Sequence, residues 1–291
     1  MECLRPSLNF YEEIQGDDRG IVEKGYPPVV DGDGQMKFFE WLDAKQFLRM
    51  KTWDFSFRSL AQEYGRDFIL KVILRHPLRT IRGIHRYRNG KSRPSLSENT
   101  ALSRIESRKD RWEGDPIVGV GFCLKPLDPP CLSGRANHDC FFLERNLHRS
   151  DSKIPSCCQH CRIREIGLLS LKSNTCFYIM TSAKDILYDL ILPTLEKNAF
   201  SRGAFVICRY SFEPFDIALA IAGISGRLFP YEKNDCQDYS TWLLADIGIK
   251  EQQTEIHETC FTSIREELAA PDARLDASLD FIKKGNLFYP S

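Results

Sequence analysis

The chain has 291 residues, of which 42% are hydrophobic and 11% aromatic, and this is enough apolar surface for one large core or two smaller ones. Such a composition argues against disorder along the whole chain. The 40 basic and 40 acidic residues cancel, so the overall charge indicates no particular partner.

The first residues lack the basic start and apolar run of a secretory signal. No apolar run approaches the ~18 residues that a membrane-spanning helix needs. We therefore expect a cytoplasmic protein. Because thiols stay reduced in that compartment, the 11 cysteines are expected to be metal ligands, reactive groups or core residues rather than disulfides.

Residues 1–115 are predicted to form a mainly helical first region. Apolar residues recur at three- and four-residue steps over 38–48 and over 57–74, and this spacing predicts two helices. Residues 89–115 are rich in Ser, Arg, Lys and Glu, which predicts a polar linker or mobile loop.

Within this region, residues 71–93 form a basic amphipathic stretch that contains no Asp or Glu. Such a stretch can lie on an anionic membrane surface or follow a nucleic-acid backbone, and its apolar side can equally pack on the rest of the protein. Tyr87 is its only aromatic residue, which favours the membrane surface over stacking on bases. The arginines expected to meet the polyanion are Arg75, Arg79, Arg82, Arg86 and Arg88.

Residues 163–291 are predicted to form an α/β domain. Apolar runs over 175–180 and 204–208 predict buried strands. The predicted helices cover 163–171, 184–197, 214–225, 239–247, 263–268 and 275–283. Strands that alternate with helices are typical of a parallel sheet. The predicted fold class is therefore α/β, with a helical N-terminal part, a cysteine-rich central loop region and a parallel-sheet strand–helix–strand–helix C-terminal half.

The central region, residues 116–162, is distinguished by crowded cysteines in a polar, loop-like sequence. Core packing explains this crowding poorly, because thiols in loops are useful chiefly as ligands or reactive groups. Two residues separate Cys158 from Cys161, and this spacing lets two thiolates converge on one metal. The expected metal ligands are Cys123, Cys131, Cys140, Cys157, Cys158 and Cys161, with His138 as a further candidate.

The spacing of the upstream cysteines does not identify the metal. Seven residues separate Cys123 from Cys131, and eight separate Cys131 from Cys140. This departs both from the common zinc patterns and from the bacterial ferredoxin run. Judged by ligand softness and spacing, we expect an iron–sulfur cluster, with zinc as the alternative and metal-free thiols as the third possibility.

A ligand site is expected at the carboxyl ends of the two predicted strands, where ligands gather in open parallel sheets. The residues at these ends are Thr181, Ser182, Lys184, Arg209 and Ser211. They are interpreted either as helix caps or as an anion or phosphate pocket. Cys236 precedes a predicted helix and is the candidate reactive thiol, although the sequence places no basic residue directly beside it.

Two functions are consistent with these features. The first is an iron–sulfur redox or cluster-dependent enzyme, or an electron-transfer accessory protein, acting with a small-molecule substrate or an electron-transfer protein. It would work in the cytoplasm, or peripherally at the membrane. The second is a non-catalytic module, in which zinc folds the central loop and residues 71–93 bind an anionic membrane surface or nucleic acid. The sequence leaves open whether the protein is an enzyme.

Overall fold

The structure is a computed structural model that describes residues 50–89, 103–104, 114–145, 153–268 and 281–290. The chain divides into two units, one ending at Arg66 and the other beginning at Asp67. The helix predicted over 38–48 and most of the linker predicted over 89–115 lie outside the described residues.

Helices account for much of the described chain. In chain order they are α1 (Met50–Ser59), α2 (Glu63–Asp67), α3 (Pro77–Asn89), α4 (Phe141–Glu144), α5 (Arg162–Lys172), α6 (Ala183–Ile186), α7 (Leu192–Lys197), α8 (Phe212–Ala222), α9 (Tyr239–Asp246) and α10 (Glu258–Leu268). Turns of π-helix cover Phe68–Ile73 and join α6 to α7 through Leu187–Ile191.

The strands of the described chain form one mixed sheet with a short antiparallel addition. They are β1 (Ser103–Arg104), β2 (Asp115–Gly121), β3 (Cys176–Met180), β4 (Phe200–Ile207), β5 (Ser225–Lys233), β6 (Glu255–Ile256), β7 (Phe281–Lys284) and β8 (Leu287–Pro290). The order across the sheet is β1-β5-β4-β2-β3-β8-β7, and β6 pairs with β5. The mixed α/β class predicted from the sequence is confirmed.

Neighbouring strands in the centre of the sheet, β5, β4, β2 and β3, pair in parallel, whereas β1, β6, β7 and β8 pair antiparallel with their neighbours. The chain runs from β2 to β3 on one side and then crosses back to β4 on the other side of β2. Its direction across the sheet therefore reverses between β2 and β4, and the carboxyl ends at such a point are where open α/β sheets commonly have a ligand-binding crevice.

Both faces of the sheet are covered by apolar side chains. Because successive residues of a strand face opposite sides, Phe177 and Ile179 of β3 join the core beneath α5 and α10, while Tyr178 and Met180 join the core beneath α6, α7 and α8. A fully buried Phe or Ile side chain stabilises the fold by roughly 1.5–3 kcal/mol. These two apolar layers fix the strand ends in space.

Several predicted elements differ from the structure. The predicted helix over 57–74 is interrupted by a turn at 60–62 between α1 and α2. The predicted helix over 275–283 is wrong at its end, where Phe281–Lys284 pair with β8 as β7. Tertiary pairing decides the conformation of this short segment, which has no strong local preference.

Two of the four parallel strands, β2 and β5, are not predicted by the sequence. Residues 115–121, which the sequence assigns largely to the cysteine-rich region, form the central strand β2, and β5 follows the predicted helix over 214–225. Gly119, Gly121, Gly226 and Pro230 weaken the strand signal of these two segments. β2 nevertheless forms because it pairs in parallel with β3 and β4, and β5 forms because it pairs in parallel with β4. These pairings depend on residues far away in the sequence.

Candidate functional site

Cysteines follow three of the parallel strands at the crevice edge of the sheet. Cys123 lies two residues after β2, Cys208 directly follows β4, and Cys236 lies three residues after β5. Because parallel strands end at the same edge, thiols that are far apart in sequence are brought together there. This edge is the first candidate site.

Cys236 has a cation beside its sulfur. Lys250 Nζ lies 3.6 Å from Cys236 Sγ, and the cysteine is only 5% exposed. A hydrogen bond from Cys208, and after it the charge of Lys250, lower the pKa of Cys236 against the opposing effect of burial. Cys236 is therefore the thiol of this edge that is suited to be a thiolate.

Cys208 has the opposite character. Its hydrogen bond to Cys236, together with burial, raises its pKa well above the ordinary value, so it keeps its proton. Its Sγ also lies 2.8 Å from Ser211 Oγ, in the 3-10 turn that follows β4. Cys208 is half-buried, whereas Cys236 is buried.

Asp235 lies against the same pair. Its Oδ2 accepts from the backbone N–H of Arg209 at 3.0 Å, and its Oδ1 is buried without a hydrogen-bond partner among the described residues. Burial raises the pKa of Asp235 to about 6, and its charge contributes to the raised pKa of Cys208. A buried acceptor beside a protonated thiol can take up that proton.

Cys123 lies within electrostatic reach of Cys236 and Lys250 at this edge of the sheet. Burial, and then the nearby Cys236, raise its pKa to about 12, while Lys250 and Arg135 oppose the shift. Arg135 donates to the carbonyl oxygens of Cys123 and Gln252, at 3.3 Å and 2.6 Å, and so ties the cysteine-rich segment to the loop that carries Lys250.

A fully buried lysine, Lys125, donates hydrogen bonds to other residues of the cysteine-rich segment. Lys125 is 1% exposed and its Nζ donates to Gly134 O at 3.2 Å, to Asn137 O at 2.9 Å and to Asn137 Oδ1. Burial lowers the pKa of Lys125 to about 8, an effect that nearby Cys131, Cys140 and Asp139 oppose. The ammonium group is thus placed next to two of the predicted ligands.

The remaining clustered thiols lie within electrostatic reach of one another. Cys157 Sγ and Cys158 Sγ are 3.7 Å apart. Burial raises the pKa of Cys158, with contributions from Cys157, Cys140 and Cys161, and it raises that of Cys140 to about 12, with contributions from Cys161 and Cys131.

Hydrogen bonds from backbone amides partly offset the rise in pKa that burial causes at two of these thiols. The amides of Leu143 and Phe142 favour the thiolate of Cys140, and those of Arg164 and Ile163 favour the thiolate of Cys161. Cys140 and Cys161 are the residues that directly precede α4 and α5. As they stand in the described residues, however, no three or more His, Cys, Asp or Glu side chains are grouped so that they could hold a metal ion.

Both ring nitrogens of His138 have partners within the protein. Its Nδ1 lies 2.7 Å from Ile179 O, and its Nε2 lies 3.1 Å from Thr181 Oγ1 and 3.5 Å from Asp185 Oδ2. The ring stacks on Tyr178 with a centroid distance of 5.6 Å. His138 therefore joins the cysteine-rich segment to the carboxyl end of β3.

The predicted anion-binding residues fall into two groups on either side of β2. Ser182 caps α6 by accepting from Asp185 N at 3.0 Å, and Thr181 donates to Asp185 Oδ2. Arg209 and Ser211 lie after β4, with Arg209 Nη1 3.9 Å from Asp235 Oδ2. Lys184, the fifth predicted residue, is exposed on α6.

The basic stretch packs on the rest of the second unit along one side. Gly83 of α3 approaches α8 so closely that a Cβ there would lie 2.4 Å from Ile221 Cα. Arg75 pairs with Glu196 at 3.1 Å, and Arg79 donates to Asn198 at 3.3 Å. On the other side, large apolar side chains are exposed: Leu70, Leu74, Leu78 and Ile81. Arg82, Arg86 and Arg88 are exposed as well.

The sequence did not predict the charged residues that surround the cysteines of the structure. Lys250 lies in a loop after α9, and the sequence indicates Asp235 only as a possible cap of that helix, so neither has a signal beyond ordinary surface polarity. Lys125 has a detectable signal, because it directly follows the apolar run Phe122–Leu124. A lysine there must either bend out of the core or be paired inside it.

Within the described residues, every helix is too short or too polar to cross a membrane. The cysteines of this part of the chain are free thiols. No protein-family model, no curated protein and no solved structure matches this chain.

Proposed function

We propose that Cys131, Cys140, Cys158 and Cys161 form a four-thiolate metal centre, with Cys157 in reserve. The observation that carries the proposal is that Cys140 lies within electrostatic reach of Cys131, Cys158 and Cys161. The ammonium group of the buried Lys125 lies within electrostatic reach of Cys131 and Cys140. The thiols must draw together on binding, because their present arrangement does not hold a metal ion. Protonated thiols do not attract one another strongly, whereas thiolates are drawn together by the cation that they bind.

Charge balance supports this assignment. Four thiolates, three of them buried and that of Cys131 half-buried, are strongly unfavourable alone. A bound cation together with the Lys125 ammonium would offset their charge. The amides that follow Cys140 and Cys161 stabilise sulfur anions at two of the four positions. These supports come from the chain itself and apply to any thiophilic metal.

An iron–sulfur cluster is the first candidate for this centre, which would make the protein a redox or electron-transfer protein. In this proposal the parallel strand–helix–strand–helix half offers its crevice to a small-molecule substrate or an electron-transfer protein. Zinc is the second candidate. It is favoured by residues 125–140, which are mostly irregular, because a zinc ion there would stabilise a segment with little regular secondary structure of its own.

The test is metal and acid-labile sulfide analysis of full-length protein purified without oxygen. Iron with sulfide, and a visible absorption band, support the cluster; stoichiometric zinc without sulfide supports the zinc site. Cys140→Ser and Cys161→Ser should each lose most of the metal, while Cys176→Ser in β3 should keep it. Metal retained by both ligand variants, or no bound metal in the wild type, contradicts the proposal.

A second activity, binding to an anionic membrane surface, is favoured by the exposed apolar residues of the basic stretch. Leu78 and Ile81 are 67% and 65% exposed on α3, and three arginines of the same helix are exposed beside them. Apolar side chains inserted among headgroups, with arginines near phosphates, are the usual features of interfacial helices.

Cosedimentation with vesicles tests this activity. Binding is expected on vesicles of phosphatidylcholine with phosphatidylserine, and not on phosphatidylcholine alone. Leu78→Ser with Ile81→Ser should weaken it on the order of a hundredfold, since the two changes together remove ~3 kcal/mol of apolar burial and every ~1.4 kcal/mol is tenfold. Leu132→Ser, at another leucine that is 57% exposed, is the matched control. Equal binding by the double variant, or binding to nucleic acid only, rejects the membrane assignment.

A further inference from the structure

We propose that Cys236 and Cys208 are a peroxide-reactive dithiol pair, in which Cys236 is the nucleophile, Lys250 its counter-cation and Cys208 the thiol that closes the disulfide. The pair lies at the carboxyl ends of β4 and β5, beside the crevice where the chain reverses direction across the sheet. It is separate from the proposed metal centre and does not depend on it.

The position of Lys250 selects the nucleophile. Its Nζ is 3.6 Å from Cys236 Sγ, a contact that favours a thiolate at this sulfur. As a thiol, Cys236 donates to Thr241 O at 3.7 Å. Once the thiol ionises this bond is lost, and Lys250 Nζ remains as the partner of the sulfur. Arg209 N donates to Asp235 Oδ2 at 3.0 Å and so holds together the two segments that carry Cys208 and Cys236. In this arrangement a thiol at Cys208 lowers the pKa of Cys236.

In this proposal the Asp235 carboxylate accepts the proton of Cys208. Its side chain is 3% exposed, and its Oδ1 is buried and without a hydrogen-bond partner in the part of the chain that the structure describes. An unpaired buried oxygen costs free energy, and native proteins keep such atoms mainly where they have a functional role. Taking up a proton during the reaction is such a role.

The narrow access to Cys236 indicates the oxidant. Cys236 is 5% exposed, so a bulky disulfide cannot align with its sulfur, whereas a peroxide of nearly the size of water can. Cys208 is half-buried and can turn toward the oxidised sulfur. The proposed oxidant is therefore hydrogen peroxide or a small alkyl hydroperoxide.

The chemistry balances in two steps. The Cys236 thiolate attacks one peroxide oxygen, the O–O bond breaks, and the second oxygen leaves as hydroxide and takes a proton to become water. Cys236 is now a sulfenic acid. Cys208 gives its proton to Asp235, its sulfur attacks Cys236 Sγ, the S–S bond forms and the S–O bond breaks. The leaving hydroxide takes the proton from Asp235 and departs as the second water. Two electrons pass from the two sulfurs to the peroxide, and a low-molecular-weight thiol restores the dithiol.

The experiment uses reduced, full-length protein treated with one equivalent of hydrogen peroxide, followed by alkylation, digestion and mass spectrometry. The expected product is a Cys208–Cys236 disulfide. Cys208→Ser should instead accumulate sulfenic acid at Cys236, detected with a cyclic diketone probe. Cys236→Ser should reduce oxidation of Cys208 at least tenfold, because the activated thiolate is gone.

Cys176→Ser is the control, since Cys176 is buried in β3 and should not alter the product. The wild-type peptide map keeps the proposal testable if a variant does not fold. Oxidation that falls on the cysteines between 131 and 161 while Cys208 and Cys236 remain free for alkylation would overturn it. A disulfide from Cys236 to Cys123 would overturn the assignment of Cys208.

Discussion

Lys250 Nζ lies 3.6 Å from Cys236 Sγ, although the two residues are 14 positions apart and α9 lies between them. The contact forms because the loop after α9 returns to the carboxyl edge of the sheet, where Arg135 donates to Lys250 O. A cation at this distance is what an activated thiol requires.

Replacing Lys250 by Met should therefore raise the pKa of Cys236. A higher pKa leaves less thiolate near pH 7, so alkylation of Cys236 should slow, by up to about tenfold for each unit by which the pKa rises. The pH dependence of iodoacetamide modification, followed by peptide mass, measures the change. Lys250→Arg keeps the charge and should keep most of the rate, and Lys172→Met on the exposed end of α5 should change nothing. Identical pH profiles for Lys250→Met and wild type would contradict this expectation.

Lys125 is expected to stabilise the segment that carries Cys131 and Cys140. In Lys125→Met, the carbonyl groups of Gly134 and Asn137 lose their donor inside the protein. Buried acceptors left unpaired cost ~1–3 kcal/mol each, and partial hydration offsets some of this, so we expect the free energy of unfolding to fall by about 2–4 kcal/mol. Urea denaturation measures it. Lys153→Met, at an exposed lysine near the same segment, should shift the free energy by less than ~0.5 kcal/mol. Equal stability of the two variants would contradict the role of Lys125.

Asp246 should make stability depend on pH. Burial raises its pKa to about 7, above the value of ~4 in an unfolded chain. Between these values the folded protein holds a proton that the unfolded chain has lost, so this group destabilises the fold progressively as pH rises from about 4 to 7. Above pH 7 the full penalty applies.

Asp246→Asn removes this penalty and keeps an oxygen to accept from Ala183 N, which lies 2.6 Å from Asp246 Oδ1. The free energy of unfolding should rise at pH 8 by about 1–3 kcal/mol, and the gain should vanish near pH 4. Denaturation at both pH values measures the difference. Glu266→Gln, at an exposed position on α10, serves as the control. A variant that is less stable than wild type at pH 8 would show that the charged form of Asp246 is needed.

Gly121 and Tyr231 should show coupled stability. Gly121 has ordinary extended backbone angles, φ −70 and ψ 144, yet a Cβ there would lie 2.2 Å from the Tyr231 hydroxyl oxygen. That hydroxyl donates to Val206 O at 3.1 Å. Gly121→Ala should therefore cost about 1–3 kcal/mol through steric conflict.

In a Tyr231→Phe background the conflicting oxygen is absent. Gly121→Ala should then cost at least ~1 kcal/mol less than it does in the wild type, which a double-mutant cycle by urea denaturation can measure. Additive effects would show that the steric conflict does not limit this position. The cycle also reports on the packing beneath the crevice, because β2, β4 and β5 all contribute to it.

Part of the candidate sites could be predicted from the sequence. The crowding of Cys131, Cys140, Cys158 and Cys161 is visible as spacing, and Cys236 stands out because it precedes a predicted helix. The prediction that groups Cys123 with them has less support from the structure, since its strongest electrostatic neighbour is Cys236. Which thiols become neighbours depends on strand order, and local periodicity carries no information about strand order.

The sequence by itself determined the mixed α/β class, the apolar strand of 175–180 and the cysteine-rich segment, because these depend on the spacing of residues close together in the chain. The tertiary structure alone decided that β2 is central and that Cys236 faces Lys250 and Cys208. Parallel strands bring their carboxyl ends to one edge however far apart they lie in sequence, so the crevice chemistry appears only after the sheet has formed.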